Sequence, residues 1–184
     1  SVWLVGSGEG IGKSRLLDEI AVTAQESGVR VFGGQDIEEG GLPYQCWGHI
    51  ISSLAVESGM DDCDASVLRE IVPQLNTLLE QDIPEIARLE PRTHQQRINA
   101  VISDIVRRSS TPTLLVLEDI HWSHVSLEPI KLLGRFVETL PLLIVASYRS
   151  DLRPDLPDTL ISPGTEGSIK RIALESLTED EVLA

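Results

Sequence analysis

Two groups of residues in this sequence have the types and spacing to do chemistry. The first is the run Gly6-Ser7-Gly8-Glu9-Gly10-Ile11-Gly12-Lys13-Ser14-Arg15. Glycines let successive backbone N–H groups converge on phosphate oxygens, a lysine reaches the terminal phosphates, and a serine hydroxyl is a hard oxygen ligand for Mg²⁺. Gly8, Glu9, Gly10, Ile11, Gly12, Lys13, Ser14 and Arg15 are therefore the expected nucleotide-binding residues. The second group is Leu114-Leu115-Val116-Leu117-Glu118-Asp119, an apolar run that ends in two adjacent carboxylates. One acid can hold Mg²⁺ through water, and its neighbour can orient the water that attacks a terminal phosphate. Acids after strands are common loop residues, so the second group gains its meaning from the first. Counted back from Gly12, Ser7 stands where the G-x-x-x-x-G-K-[ST] pattern has its first glycine. Because Gly6 and Gly8 flank it, either the loop accepts serine there or it is one residue longer. The bland alternative is a glycine-rich turn with a chance Gly-Lys-Ser.

The elements that must position these groups follow from periodicity. Val2–Val5 is a short apolar run leading into the glycines and reads as a buried strand. From Lys13 to Ser27, Leu16, Leu17, Ile20, Ala21 and Ala24 recur at helical spacing, and Gly28 stands where a helix stops. Val29–Phe32 reads as a strand, Gly33–Pro43 as a loop, and Gln45–Glu57 as a helix with Trp47, Ile50, Ile51 and Leu54 on one side. From Glu57 to Glu90 nine acidic residues stand against two arginines, which suggests two short solvated helices broken near Pro73 and Pro84. Thr93–Arg108 is the clearest helix, with Ile98, Val101, Ile102, Ile105 and Val106 on one stripe. Thr113–Leu117 and Leu142–Ser147 read as buried strands, and Ile169–Leu174 as a last one. A helical stripe between them runs from Leu127 through Ile130, Leu133, Phe136 and Val137 to Leu140, before Pro141. Ser150–Gly167 reads as a loop, and Thr178-Glu179-Asp180-Glu181 as a capping box opening a further helix. Strand and helix alternate throughout, so the expected fold is α/β with a parallel sheet.

The chain has 184 residues, 15 Lys and Arg against 29 Asp and Glu, and a formal net charge of −14. At 41% hydrophobic and 24% charged it has the composition of a globular domain. So acidic a surface lacks the clustered cations that bind nucleic acid or anionic membrane, and no direct nucleic-acid contact is expected of this domain. Two cysteines are too few for a disulfide framework and point to a reducing, cytoplasmic compartment. No apolar run approaches the roughly 20 residues of a membrane helix, so no membrane partner is expected. The first residue is Ser, no signal-peptide pattern follows, and strand character begins at once, so a piece of a longer protein is expected.

The segments "GEGIGKSRLLDEI", "GGLPYQCW", "LLVLEDIHW" and "LLIVASYRSD" resemble the AAA-like ATPase domain of signal-transduction ATPases with numerous domains, the STAND class. Relatives of that domain stand in LuxR-type transcriptional activators and beside nucleotide cyclases and protein kinases. The resemblance runs over nearly the whole chain and implies a P-loop NTPase sheet of strand order 5-1-4-3-2. It implies that Lys13 and Ser14 bind the β- and γ-phosphates and Mg²⁺, and that Glu118 takes the metal-side position. Asp119 would activate water, and Arg149 would be the sensor arginine that contacts the γ-phosphate. His121-Trp122 is followed here by Ser123-His124, whereas the family usually has Ala-Asp. The family's segment before the first strand, which frames adenine, and its helical or winged-helix region after Ala184 lie outside the sequence. Residues 1–176 are thus expected to form the ATPase domain, and 177–184 the start of a following helical region.

Other residues have a plainer reading. His121 with His124 and Cys46 with His49 lack a second ligand pair at zinc-site spacing. His121 and Trp122 are expected to pack beneath the site, Pro43-Tyr44 to form a turn with an anchoring aromatic, and Arg97, Arg107 and Arg108 to be solvated. The function expected is a regulatory switch that binds ATP·Mg²⁺, hydrolyses it slowly, and reports ATP or ADP to other domains of the same chain. Homo-oligomerisation is left open. The rivals are a ring-forming AAA+ remodelling ATPase, which needs a trans arginine finger and a pore loop, and a scaffold with a degenerate loop that binds no nucleotide. A small-molecule kinase fits less well, because paired acids favour water as the acceptor.

Overall fold

The computed structural model describes residues 1–38, 41–58, 60–85, 90–165 and 167–176. Five strands, β1 (Val2–Ser7), β2 (Arg30–Gln35), β3 (Thr113–Glu118), β4 (Leu142–Arg149) and β5 (Ile169–Ala173), form one sheet in the order β2-β3-β4-β1-β5, every pair parallel. This is the expected P-loop order read from the other edge. Parallel pairing needs crossovers, and helices supply them: α1 (Lys13–Glu26), α2 (Gln45–Ser58), α3 (Asp62–Leu68), α4 (Leu75–Leu79), α5 (Pro91–Arg107), α6 (His124–Gly134) and α7 (Leu156–Leu160).

Strand side chains alternate between faces, which divides the core in two. Leu4, Leu115, Leu117, Ile144 and Ala146 point to the face covered by α2, α5 and α6, where Trp47, Ile50, Ile102 and Ile130 are almost fully buried. Val5, Leu114, Val116 and Val145 point the other way and pack under Leu17 and the apolar stripe of α1. The stripe on α5 is buried as its spacing predicts, with Pro91 at its first turn and the Glu90 carboxylate accepting from the Thr93 amide at 3.2 Å.

Several boundaries differ from the sequence reading. β2 extends through Gly33, Gly34 and Gln35, because pairing with Val116, Leu117 and Glu118 continues through the glycines. Gly34 is needed there: a Cβ would sit 1.7 Å from the Cys46 carbonyl oxygen, where α2 begins. β4 likewise runs on to Arg149 beside Ser7 of β1. α6 stops at Gly134, not Pro141; beyond it the amides of Arg135, Phe136 and Thr139 bond three residues back in successive turns. The stretch read as a loop over 150–167 contains α7, whose Leu156 and Leu160 are buried. α3 and α4 form on either side of Pro73, as expected, but they also pack inward through Val67, Leu68 and Leu75. Thr178–Glu181, read as a capping box, and the whole of 177–184 lie outside the described residues. Among the described residues, no helix is long and apolar enough to cross a membrane.

Candidate functional site

The register of the sheet brings the chemistry to one end. Gln35 lies opposite Glu118, and Ser7 opposite Arg149, so the C-terminal ends of β1, β2, β3 and β4 meet there. Open α/β sheets bind their ligands at that end. The loop Gly8–Gly12 leaves β1 and turns into α1, whose N-cap is Gly12 at φ +101° with no side-chain cap. Gly10 is also left-handed at φ +74°, and beyond it and Gly12 a Cβ would meet nothing within 4 Å. Both positions therefore select glycine by backbone conformation alone. Ser7 is different: it ends β1, carries no positive φ, and is buried. Its position makes no demand for glycine, so serine fits without strain. Gly6 is instead required by packing, since a Cβ there would lie 2.5 Å from the Tyr148 hydroxyl.

Lys13 is buried where the loop enters α1. Its Nζ donates to the Gly8 carbonyl at 2.7 Å and to the Ser7 hydroxyl at 3.3 Å. The loop's own oxygens thus hold the ammonium inside the cradle that would receive phosphate. Ser14 Oγ donates to Glu118 Oε2 at 2.6 Å, which joins the start of α1 to the end of β3. A hydroxyl and a carboxylate oxygen at that spacing are the hard donors Mg²⁺ takes.

Asp119 follows in the left-handed region at φ +55°, its amide donating to Ser147 Oγ at 3.1 Å. Gln35 Nε2 donates to the Asp119 Oδ2 at 2.9 Å. Ile120–Trp122 then forms a 3₁₀ turn. His121 packs beneath the site as expected; burial lowers its imidazole pKa, and its Nδ1 accepts from the Arg149 amide at 3.4 Å. Trp122 does not pack beneath: half-buried, it forms a wall of the cavity. Arg149 stands opposite, its guanidinium paired with Glu9 across the loop and with Asp151, each at 2.7 Å. Those partners, Asp151 first, raise its pKa further, and Arg149 in turn lowers that of Asp151.

A cavity of about 410 Å³ lies among these groups, lined by Glu9, Gly10, Gly12, Lys13, Ser14, Arg15, Asp119, Trp122 and Arg149. Of the residues singled out from sequence, Gly8 and Ile11 belong to the same loop, and Glu118 joins the site through Ser14. Gln35 and Ser147, which hold Asp119, were missed. Gln35 was read as loop, and the one signal for it was its place at the end of a strand beside the acids. The three arginines expected to be solvated make partners on the protein: Arg97 donates to Cys63 Sγ at 3.0 Å, Arg107 lies over the Phe136 ring at 3.9 Å, and Arg108 pairs with Asp64 at 2.7 Å.

A glycine loop between a central parallel strand and a helix, with acids ending a strand on the same edge, defines a P-loop NTPase domain. Residues 1–145 match the family model described as AAA ATPase domain, and the chain belongs to that family. It is a nucleotide-binding ATPase domain. No curated protein matches the chain. Among solved structures it is similar to a DNA replication initiation factor, at 17% identity over 95% of this chain and 40% of that one, with a TM-score of 0.44. AMPPCP-bound DnaA from Aquifex aeolicus is similar at 18% identity over 95% of this chain and 39% of that one, TM-score 0.44. Drosophila ORC bound to GC-rich DNA and Cdc6 is similar at 14% identity over 96% and 50%, TM-score 0.44. The chain spans half or less of the length of each of these neighbours.

Proposed function

We propose that the domain is a regulatory switch of the STAND type, which binds ATP·Mg²⁺, hydrolyses it slowly, and passes the identity of the bound nucleotide to other domains of a cytoplasmic signalling or transcription-regulatory chain. The observation that carries the reading is the pairing of Ser14 Oγ with Glu118 Oε2 at 2.6 Å beside the buried Lys13. Ser14 and Glu118 would hold the Mg²⁺ ion, which when bound offsets charge on the β- and γ-phosphates. Lys13 Nζ would leave the Gly8 carbonyl for a phosphate oxygen, and the amides of Gly8–Gly12 would line the rest of the chain of phosphates. Asp119 would accept the proton of the attacking water. Its Oδ2 already accepts from Gln35, and its side chain is one methylene shorter than glutamate; both features support slow turnover. Arg149 would exchange Glu9 for the γ-phosphate, which gives ATP and ADP different contacts and so a basis for two states.

The experiment is calorimetry of ATP and ADP with Mg²⁺, followed by single-turnover and steady-state hydrolysis over a range of protein concentrations. Binding of one nucleotide per chain with slow, concentration-independent turnover is expected. Failure to bind nucleotide would favour a scaffold, and fast turnover that rises with protein concentration would favour a ring-forming ATPase.

A further inference from the structure

The phosphate cradle contains a carboxylate that holding phosphate does not account for. Glu9 stands in the middle of the loop, between Gly8 and Gly10, and lines the same cavity as Lys13, Ser14 and Arg149. A negative charge there repels the phosphates that the surrounding amides and cations attract. Its Oε2 accepts from Arg149 Nη1 at 2.7 Å. Arg149 is held in place for that contact. The Ser150 amide donates to the Ser7 carbonyl at 3.1 Å, which ties the end of β4 to β1. Asp151 takes the other edge of the guanidinium, with Nη2 donating to its Oδ2 at 2.7 Å and Nε to its Oδ1 at 3.3 Å, so Nη1 is left to face the loop. The Glu9 side chain is 79% exposed and that of Arg149 only 24%. Glu9 can therefore give up the pair to water at little cost, whereas the more enclosed Arg149 gains from a second anion in its place.

We propose, resting on the assignment of this cavity to ATP, that Glu9 is a built-in competitor of the γ-phosphate. Its carboxylate occupies Arg149 Nη1 in the empty and the ADP-bound site and yields it to ATP, so Glu9 sets how strongly the domain prefers ATP to ADP. ADP, with no γ-phosphate, leaves the Glu9–Arg149 pair intact. ATP breaks it and releases the loop at Glu9, and its binding is weakened by whatever the pair contributes. An exposed ion pair contributes a factor of roughly two to five in an equilibrium constant, whereas a charge-assisted hydrogen bond to phosphate contributes roughly tenfold or more. The exchange therefore favours ATP, and Glu9 tempers that preference without cancelling it.

The test is calorimetry of ATP and ADP, each with Mg²⁺, on the wild-type chain, Glu9→Gln, Arg149→Ala and the double variant at low salt. Glu9→Gln keeps the length of the side chain and loses its charge, at an exposed position that leaves the core alone. It should tighten ATP binding and raise the ratio of the ADP to the ATP dissociation constant by roughly two- to fivefold, a gain that shrinks as salt is added. Any general relief of repulsion common to both nucleotides cancels in that ratio. With Arg149 replaced, the same substitution should leave the ratio unchanged, because there is no longer a guanidinium to compete for. The proposal is overturned if Glu9→Gln leaves the ratio of the wild-type chain unchanged or lowers it. It is overturned equally if the ratio shifts as much without Arg149 as with it, which would make Glu9 a repelling charge and nothing more. If neither the wild-type chain nor Glu9→Gln binds either nucleotide, the assignment of the cavity to ATP itself fails, and the proposal with it.

Discussion

Gly12→Ala isolates the backbone demand of the phosphate loop from every other contribution. Gly12 sits at φ +101° and caps α1, and a Cβ added there would meet nothing within 4 Å. No clash contributes, so the whole cost is conformational, about 1–2 kcal/mol for an L-residue held in the left-handed region. In a domain of this size 1 kcal/mol shifts the Tm by about 2–4 °C, so Gly12→Ala should lower it by about 2–8 °C. The same strain would draw the loop amides from the phosphate position, and ATP affinity should fall with it. Gly8→Ala is the internal control: Gly8 carries no positive φ and its Cβ would also meet open space, so stability should change by no more than about 0.5 kcal/mol. Thermal unfolding and ATP calorimetry on the two variants decide the matter. If Gly8→Ala and Gly12→Ala behave alike, positive φ is not what the glycines supply, and the reasoning fails.

Three further expectations test individual side chains. Arg149→Ala should weaken ATP more than ADP in calorimetry, because ADP lacks the γ-phosphate for which Glu9 would be exchanged; equal losses would leave Arg149 with a structural role in its pairs with Glu9 and Asp151. Glu118→Gln should weaken Mg²⁺-dependent binding while Asp119→Asn keeps ATP·Mg²⁺ and slows hydrolysis, since an amide cannot take a proton from water; single-turnover rates in the opposite order would reverse the two roles. Burial raises the Asp36 carboxyl above its ordinary value of 3.8, so the native chain binds that proton more tightly than the unfolded chain does. Its ionised form is then a cost at neutral pH that fades as pH falls through the raised native pKa toward 3.8. Asp36→Asn should accordingly equal or exceed the wild-type Tm at pH 7, with any advantage shrinking at pH 5; a deficit that grows with pH would contradict this.

Much of the architecture was legible because it rests on periodicity and on short motifs. Leu114–Leu117 is apolar at every position since both faces of β3 are covered, and the stripe on α5 repeats at helical spacing because one face is buried. What escaped was set by contacts between distant segments. Gly33–Gln35 looks like loop by composition, and only pairing with β3 makes it strand. The stripe continuing to Leu140 looks helical, yet the chain turns after Gly134 to enter β4. At the site, the loop and the acids were readable as types at a spacing, and Arg149 through family resemblance. The burial of Lys13, the left-handed backbone of Asp119 and the hold of Gln35 upon it arise from the register of β1 to β4, which no local pattern records.

The central claim is that Lys13 and the loop around it receive the phosphates of ATP. Its most direct test is calorimetric titration of ATP·Mg²⁺ into the wild-type chain and into Lys13→Ala, with thermal unfolding to establish that both are folded. The arrangement predicts one ATP per wild-type chain and a loss of binding, or a large weakening, in the variant, because the Nζ now held by Gly8 and Ser7 is the group that would meet the terminal phosphates. A folded Lys13→Ala variant that binds ATP with unchanged affinity would contradict the assignment of this cavity as the nucleotide site.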